Sequence, residues 1–194
     1  MKIKVLIGVP CNRTVKAKTM ESLLKLVDYS NDKYEFDFTF AIEGYTIAEN
    51  RIYCAIKAMK ANCTHLLFID DDMTFPPETL EQLLSHEKEI VGVVASPRMI
   101  TENTTVLKLD GDVLMKHEIP KELFEVTHVG TGVMLIDMEV FKKIGEPYFK
   151  FTTHLNGMTL DGEDAYFCQR AREKDIKIYC DPTLSIGHLG DYLY

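Results

Sequence analysis

Four apolar residues run straight into three acids in Leu66-Leu67-Phe68-Ile69-Asp70-Asp71-Asp72, and this stretch constrains the fold more than any other. So short an apolar run reads as a strand buried on both faces, the kind found inside parallel sheets. Pro76-Pro77 then stops the extended segment and primes a helix. In extended backbone, side chains at i and i+2 share a face, so Asp70 and Asp72 point together and Asp71 points away. Two like charges that close raise each other's pKa unless a cation lies between them. Open α/β sheets bind ligands just beyond the carboxyl ends of their strands. The acid pair therefore points to a divalent metal holding a phosphorylated substrate. The plainer reading is a solvated loop that caps the next helix.

The flanking sequence alternates strand and helix patterns. Residues 3–9 read as a first strand ending at Pro10, with Cys11-Asn12-Arg13-Thr14 as the loop beyond it. Met20, Leu23, Leu24 and Val27 recur at helical spacing, and residues 34–40 alternate strictly as a strand towards an edge. Thr46 and Glu49 have the spacing of a capping box, starting a helix to about Lys60 with Ile52, Ala55, Ile56 and Met59 on its core face. Leu80, Leu83 and Leu84 mark a short helix, and 90–95 is another buried strand. Residues 96–120 read as a meander or loop with strand-like pieces at 104–109 and 113–115. Strands at 123–128 and 133–136 flank Gly130-Thr131-Gly132, and Asp137 caps a short helix ending at Gly145. A helix at 162–173, a strand at 177–180 and a last strand within 183–190 complete the chain. The expected fold is a single α/β domain over residues 1–194, with a mixed, mostly parallel sheet flanked by helices.

Charge and cysteine usage narrow the function. Thirty acidic against 22 basic residues give a net charge of −8, which argues against nucleic acid as a partner. An anionic substrate then needs a local positive centre, and a metal on Asp70 and Asp72 would supply one. No apolar run approaches the ~20 residues of a membrane span, and the N-terminus lacks the apolar core of a signal peptide. Five cysteines without a Cys-x-x-Cys fit reduced thiols and a cytoplasmic protein.

Several ordered pieces carry a family resemblance: Val9-Pro10, Ala48-Glu49-Asn50-Arg51, the Asp-x-Asp strand with Phe75-Pro76-Pro77, and Gly130-Thr131-Gly132-Val133-Met134-Leu135. Gly162-Glu163-Asp164, Asp181-Pro182 and Gly187-His188 continue the series. Together they resemble the nucleotide-sugar-dependent glycosyltransferases of the GT-A fold, in particular small family 2-like members from bacteria and large viruses. The resemblance runs from the first strand to His188. It implies Mn²⁺ or Mg²⁺ on Asp70 and Asp72, with His188 reaching the same ion; an imidazole ligand would favour Mn²⁺. It implies a UDP- or GDP-sugar donor contacted by Pro10, Asn12, Arg13, Glu43, Arg51, Asp70, Asp71, Arg98, Gly130 and Gly132. Asp164 becomes the base that deprotonates a glycan or other hydroxyl acceptor, with Glu163 as runner-up, and transfer would invert the anomeric centre.

Each residue also has a plainer reading. Asp164 can cap a helix with Asp161, Arg51 can cover apolar surface with its stem, and the glycines can form a tight turn. Phe149, Phe151 and Tyr166 fit an acceptor platform or the core. His65, His86, His117, His128 and His154 receive no assignment. One departure leaves the base open: Glu43-Gly44-Tyr45-Thr46 stands where many inverting relatives carry an acidic, serine-rich turn that grips uridine. Three rival readings remain. A haloacid-dehalogenase-type phosphohydrolase would use Asp70-Asp71-Asp72-Met73-Thr74, but on its first strand and with a later acidic motif that is absent. A sugar nucleotidyltransferase would need a glycine-rich basic loop after strand one. A non-catalytic sugar-nucleotide-binding module needs neither.

Overall fold

The apolar run does become a central strand, and its alternation explains why both of its faces are apolar. In the computed structural model, which describes residues 2–11, 13–42, 44–97, 101–153, 155 and 159–190 (backbone alone at 159–160), β1 (Lys4–Pro10), α1 (Ala17–Ser30), β2 (Glu35–Ala41) and α2 (Ile47–Lys60) lead to β3 (His65–Ile69). Next come β4 (Met73–Thr74), α3 (Thr79–Ser85), β5 (Ile90–Val93), β6 (Asn103–Leu107), β7 (Val113–Met115), β8 (Phe124–Val126), β9 (His128–Val129) and β10 (Val133–Asp137). The chain continues through α4 (Met138–Ile144), β11 (Thr152–Thr153), β12 (Thr159–Asp161), α5 (Glu163–Arg172), β13 (Ile178–Asp181) and β14 (Gly187–His188).

Seven strands form the main sheet in the order β2-β1-β3-β10-β5-β13-β8. Strands β1, β2 and β3 run parallel, as do β5 and β13, while β10 opposes both β3 and β5 and β8 opposes β13. Five strands therefore share one direction in a mixed, mostly parallel sheet. Leu66 and Phe68 enter one core with Ala55, Phe141 and Phe167 of α2, α4 and α5. Leu67 and Ile69 enter the other with Leu23, Leu26, Leu80 and Leu83 of α1 and α3. Each such buried side chain contributes about 1.5–3 kcal/mol relative to exposure.

The capping box forms: Thr46 Oγ1 accepts from Glu49 N, and the Glu49 carboxylate accepts from Thr46 N. The buried face of α2 differs from the expected one. It presents Ala48, Arg51, Cys54, Ala55 and Ala58, while Ile52, Ile56 and Met59 are half-buried. The helix lies so close to β1 that a Cβ on Gly8 would sit 3.0 Å from that of Cys54. Small side chains permit this approach, and large ones are displaced to the flanks. On α1, likewise, Leu26 is buried and Leu24 is exposed. Phe149 belongs to the core, stacked on Phe167 at 4.9 Å and edge-on to Phe68 at 5.5 Å, so it is no acceptor platform.

The C-terminal segment is steered back to the mouth of β3. Asp181, at the end of β13, is buried and accepts hydrogen bonds from Gln82 Nε2 and Thr183 N and pairs with His86 Nε2 at 2.6 Å. Burial would raise its pKa, but these bonds outweigh it and hold the carboxyl below its usual range. Strand β14 then pairs antiparallel with β4, placing His188 opposite Met73, and Leu189 N donates to the Asp72 carbonyl.

Candidate active site

Strand β3 ends at Ile69, and a turn closed by Met73 N donating to the Asp70 carbonyl takes over. The strand alternation therefore does not carry through the acids. Asp70 and Asp71 both line a cavity of about 430 Å³, which Pro10, Arg51, Gly130, Gly132, Glu163, Asp164 and His188 also line. Asp72 is instead buried, 1% exposed, with Oδ2 3.3 Å from His188 Nε2. Of the remaining expected contacts, Arg13 is exposed with a left-handed backbone (φ 83°) and does not line the cavity. Asn12, Glu43 and Arg98 lie outside the described residues.

The pairing of His188 defines its tautomer. Nδ1 lies 2.9 Å from the Ser96 carbonyl, which only accepts, so Nδ1 carries the hydrogen. Nε2 is then the ring atom that faces the Asp72 carboxylate. Nε2 and the carboxylate Oδ2 lie 3.3 Å apart, a spacing that a proton or a cation shared between them makes favourable. The donor set, one carboxylate oxygen and one imidazole nitrogen, fits a transition ion such as Mn²⁺. Among the described residues no three His, Cys, Asp or Glu side chains are grouped to hold an ion by themselves. An ion here would complete its shell with substrate oxygens and water, as divalent ions at phosphate sites usually do.

Asp70 has a different partner. Arg51 Nη2 lies 2.9 Å from Asp70 Oδ1, and Arg51 Nε lies 3.0 Å from Glu163 Oε1. The guanidinium packs over Phe68 at 5.4 Å and its side chain is 4% exposed. Burial alone would lower its pKa, but Asp70 and Glu163 outweigh that cost and raise it. Arg51, expected to contact a donor, lines the cavity and cross-links the end of β3 to the start of α5. Its Nη1 is buried without a hydrogen-bond partner among the described residues.

Asp164, at the cavity wall, accepts from Ala165 N through Oδ1, while its Oδ2 lies 3.7 Å from His128 Nε2. Burial lowers the pKa of His128, with Asp164, Glu163 and Asp161 opposing, so the ring is favoured in its neutral form. The glycines serve close packing: a Cβ on Gly130 would meet Thr105 at 3.2 Å, and one on Gly132 would meet Met73 at 3.3 Å. Thr131, between them, has a buried hydroxyl with no hydrogen-bond partner among the described residues and lines the cavity.

Sequence reasoning missed His128, Thr131 and the Ser96 carbonyl. A lone histidine gives no signal until α5 packs on β9, and a backbone acceptor gives none at all. Thr131 left a faint one, as a small polar residue between two glycines. Across the cavity wall, four carboxylates (Asp70, Asp71, Glu163, Asp164) face one guanidinium. No helix among the described residues is long and apolar enough to cross a membrane.

Solved structures share this arrangement of elements. Protein A197 from STIV superposes with a TM-score of 0.65 at 18% identity, over 97% of this chain and 86% of that one. An apo UDP-glucose pyrophosphorylase gives 0.53 at 8% identity, over 97% and 93%. The chain has a nucleotide-sugar transferase fold. GalNAc-T7, solved with UDP, GalNAc and Mn²⁺, matches at 0.50 and 14% identity, over 97% of this chain and 38% of that one. No family model matches the chain, and no curated protein matches it in sequence.

Proposed function

We propose that this chain is a metal-dependent glycosyltransferase that moves a sugar from a UDP- or GDP-sugar to a hydroxyl acceptor with inversion. One observation carries the reading: Asp72 Oδ2 and His188 Nε2 converge to 3.3 Å at the edge of a cavity walled by four carboxylates. A diphosphate enters such a cavity only with a cation, and the facing pair offers the place to hold it. When bound, a divalent ion supplies Lewis-acid stabilisation of charge on the departing diphosphate.

The chain's own residues have separate tasks. Asp72 and His188 hold the ion, and the Ser96 carbonyl fixes the ring so that Nε2 is the ligating atom. Arg51 keeps Asp70 and Glu163 in place at the cavity wall. Glu163 is committed to Arg51, which leaves Asp164 as the base. Its carboxylate takes the proton from the acceptor hydroxyl as that oxygen attacks the anomeric carbon. The nucleoside diphosphate departs from the opposite face with the electron pair of the broken C–O bond. The acceptor is a glycan or another hydroxyl compound.

The same cavity and fold could serve a sugar nucleotidyltransferase, so the test must separate the two. With Mn²⁺ and a UDP- or GDP-sugar, the protein is expected to release nucleoside diphosphate and free sugar slowly, using water as the acceptor. Asp164→Asn should slow this release by about 10²–10⁴-fold, the usual contribution of a general base. Pyrophosphate formed from a nucleoside triphosphate and a sugar 1-phosphate would overturn the proposal in favour of nucleotidyl transfer. Hydrolysis of a plain phosphomonoester would overturn it in favour of a phosphohydrolase.

A further inference from the structure

The two edges of the main sheet are unlike. Strand β8 at one edge is three residues long and carries Glu125, paired with Lys177 at 2.9 Å, the short and charged form in which sheet edges are usually blunted. Strand β2 at the other edge is seven residues long, and among the described residues no strand pairs with its outer side. Its residues Phe36, Phe38 and Phe40 share one face, with the Phe36 and Phe38 rings 6.2 Å apart. Phe38 is 45% and Phe40 40% exposed.

The backbone shows which groups of β2 face outward. Glu35 N donates inward to Ile3 O, and the Ala41 carbonyl accepts from Cys11 N. Since N–H and C=O of one strand residue point to the same side and alternate along the strand, residues 35, 37, 39 and 41 bond to β1. The N–H and C=O groups of Phe36, Phe38 and Phe40 therefore point to the open edge.

We infer that β2 pairs antiparallel with β2 of a second copy of this chain, about a two-fold axis through Phe38. In that register Phe38 opposes the partner's Phe38 and Phe36 opposes the partner's Phe40, so every outward backbone group finds a partner. All six rings fall on one face of the joined sheet, where aromatic cross-strand pairs are stabilising. Charge favours this register over those shifted toward the start of β2. Asp37 comes opposite the partner's Thr39 and Glu35 opposite the partner's Ala41, and Asp37 is already neutralised by Lys4 at 2.7 Å. An axis through Asp37 would set Asp37 against itself, and one through Phe36 would set Glu35 against the partner's Asp37. No residue of β2 lines the cavity, so the pairing is independent of the proposed reaction.

Sedimentation across a hundredfold range of concentration tests this. The wild-type protein is expected at twice the 22.2 kDa of one chain. Phe38→Pro removes an outward N–H and an exposed ring at an edge position where proline is tolerated. Phe38→Lys keeps the N–H and sets two cations against each other at the axis. Both variants should keep the wild-type circular dichroism and halve the mass. A wild-type protein that stays monomeric, or variants that both keep the dimer mass, would overturn the inference.

Discussion

Arg51→Leu is expected to destabilise the protein by about 3–5 kcal/mol, as when one partner of a buried ion pair is removed. The substitution keeps apolar contact with Phe68 but strips the shared cation from Asp70 and Glu163, whose side chains are 28% and 10% exposed. Because Asp70 keeps some contact with solvent, the lower end of that range applies. At about 2–4 °C per kcal/mol for a chain of this size, the melting temperature should fall by about 10 °C. The double variant Arg51→Leu/Glu163→Gln should recover much of the loss, because it removes one of the two uncompensated charges. Urea unfolding measures both. A single-variant loss under about 1 kcal/mol would place these groups in a solvated surface pair instead.

Asp72→Asn should separate metal binding from folding. The amide is the same size as the carboxylate, and its N–H can donate to His188 Nε2, so the variant keeps a contact with the ring. The metal-free variant should therefore keep the wild-type circular dichroism. In wild type, Mn²⁺ with UDP or GDP at a hundred times its Kd adds about 2.7 kcal/mol, which corresponds to about 5–10 °C. In Asp72→Asn the rise should shrink to that of the nucleotide alone. A full metal-linked rise in the variant would move the ion away from Asp72.

What could be read from the chain before its structure, and what could not, follows from how local each signal is. Leu66–Ile69 announced a central strand because burial on both faces leaves no polar position to obscure it. Thr46 and Glu49 announced the start of α2 because a capping box is complete within four residues. The face of α2 was misjudged because close approach to Gly8 selects Ala and Cys, which hydrophobic periodicity underweights against Ile and Met. The geometry of the acids was misjudged because strand alternation was extended past Ile69 into a turn. That His188 reaches Asp72 could be expected only through the family resemblance; the pairing of β14 with β4 joins residues more than a hundred positions apart. His128 beside Asp164 left no trace for the same reason. No sequence pattern reports which strand a helix will pack on.

The account rests on Asp72 and His188 gripping one divalent ion together with a sugar donor's diphosphate. Pulsed electron paramagnetic resonance of Mn²⁺ bound in the presence of UDP reads this directly, because a coordinated imidazole imprints nitrogen modulation on the electron-spin echo. Modulation that changes on ¹⁵N-histidine labelling and vanishes in His188→Ala is the predicted result. A bound Mn²⁺ with no nitrogen in its shell, indifferent to His188→Ala, would contradict it.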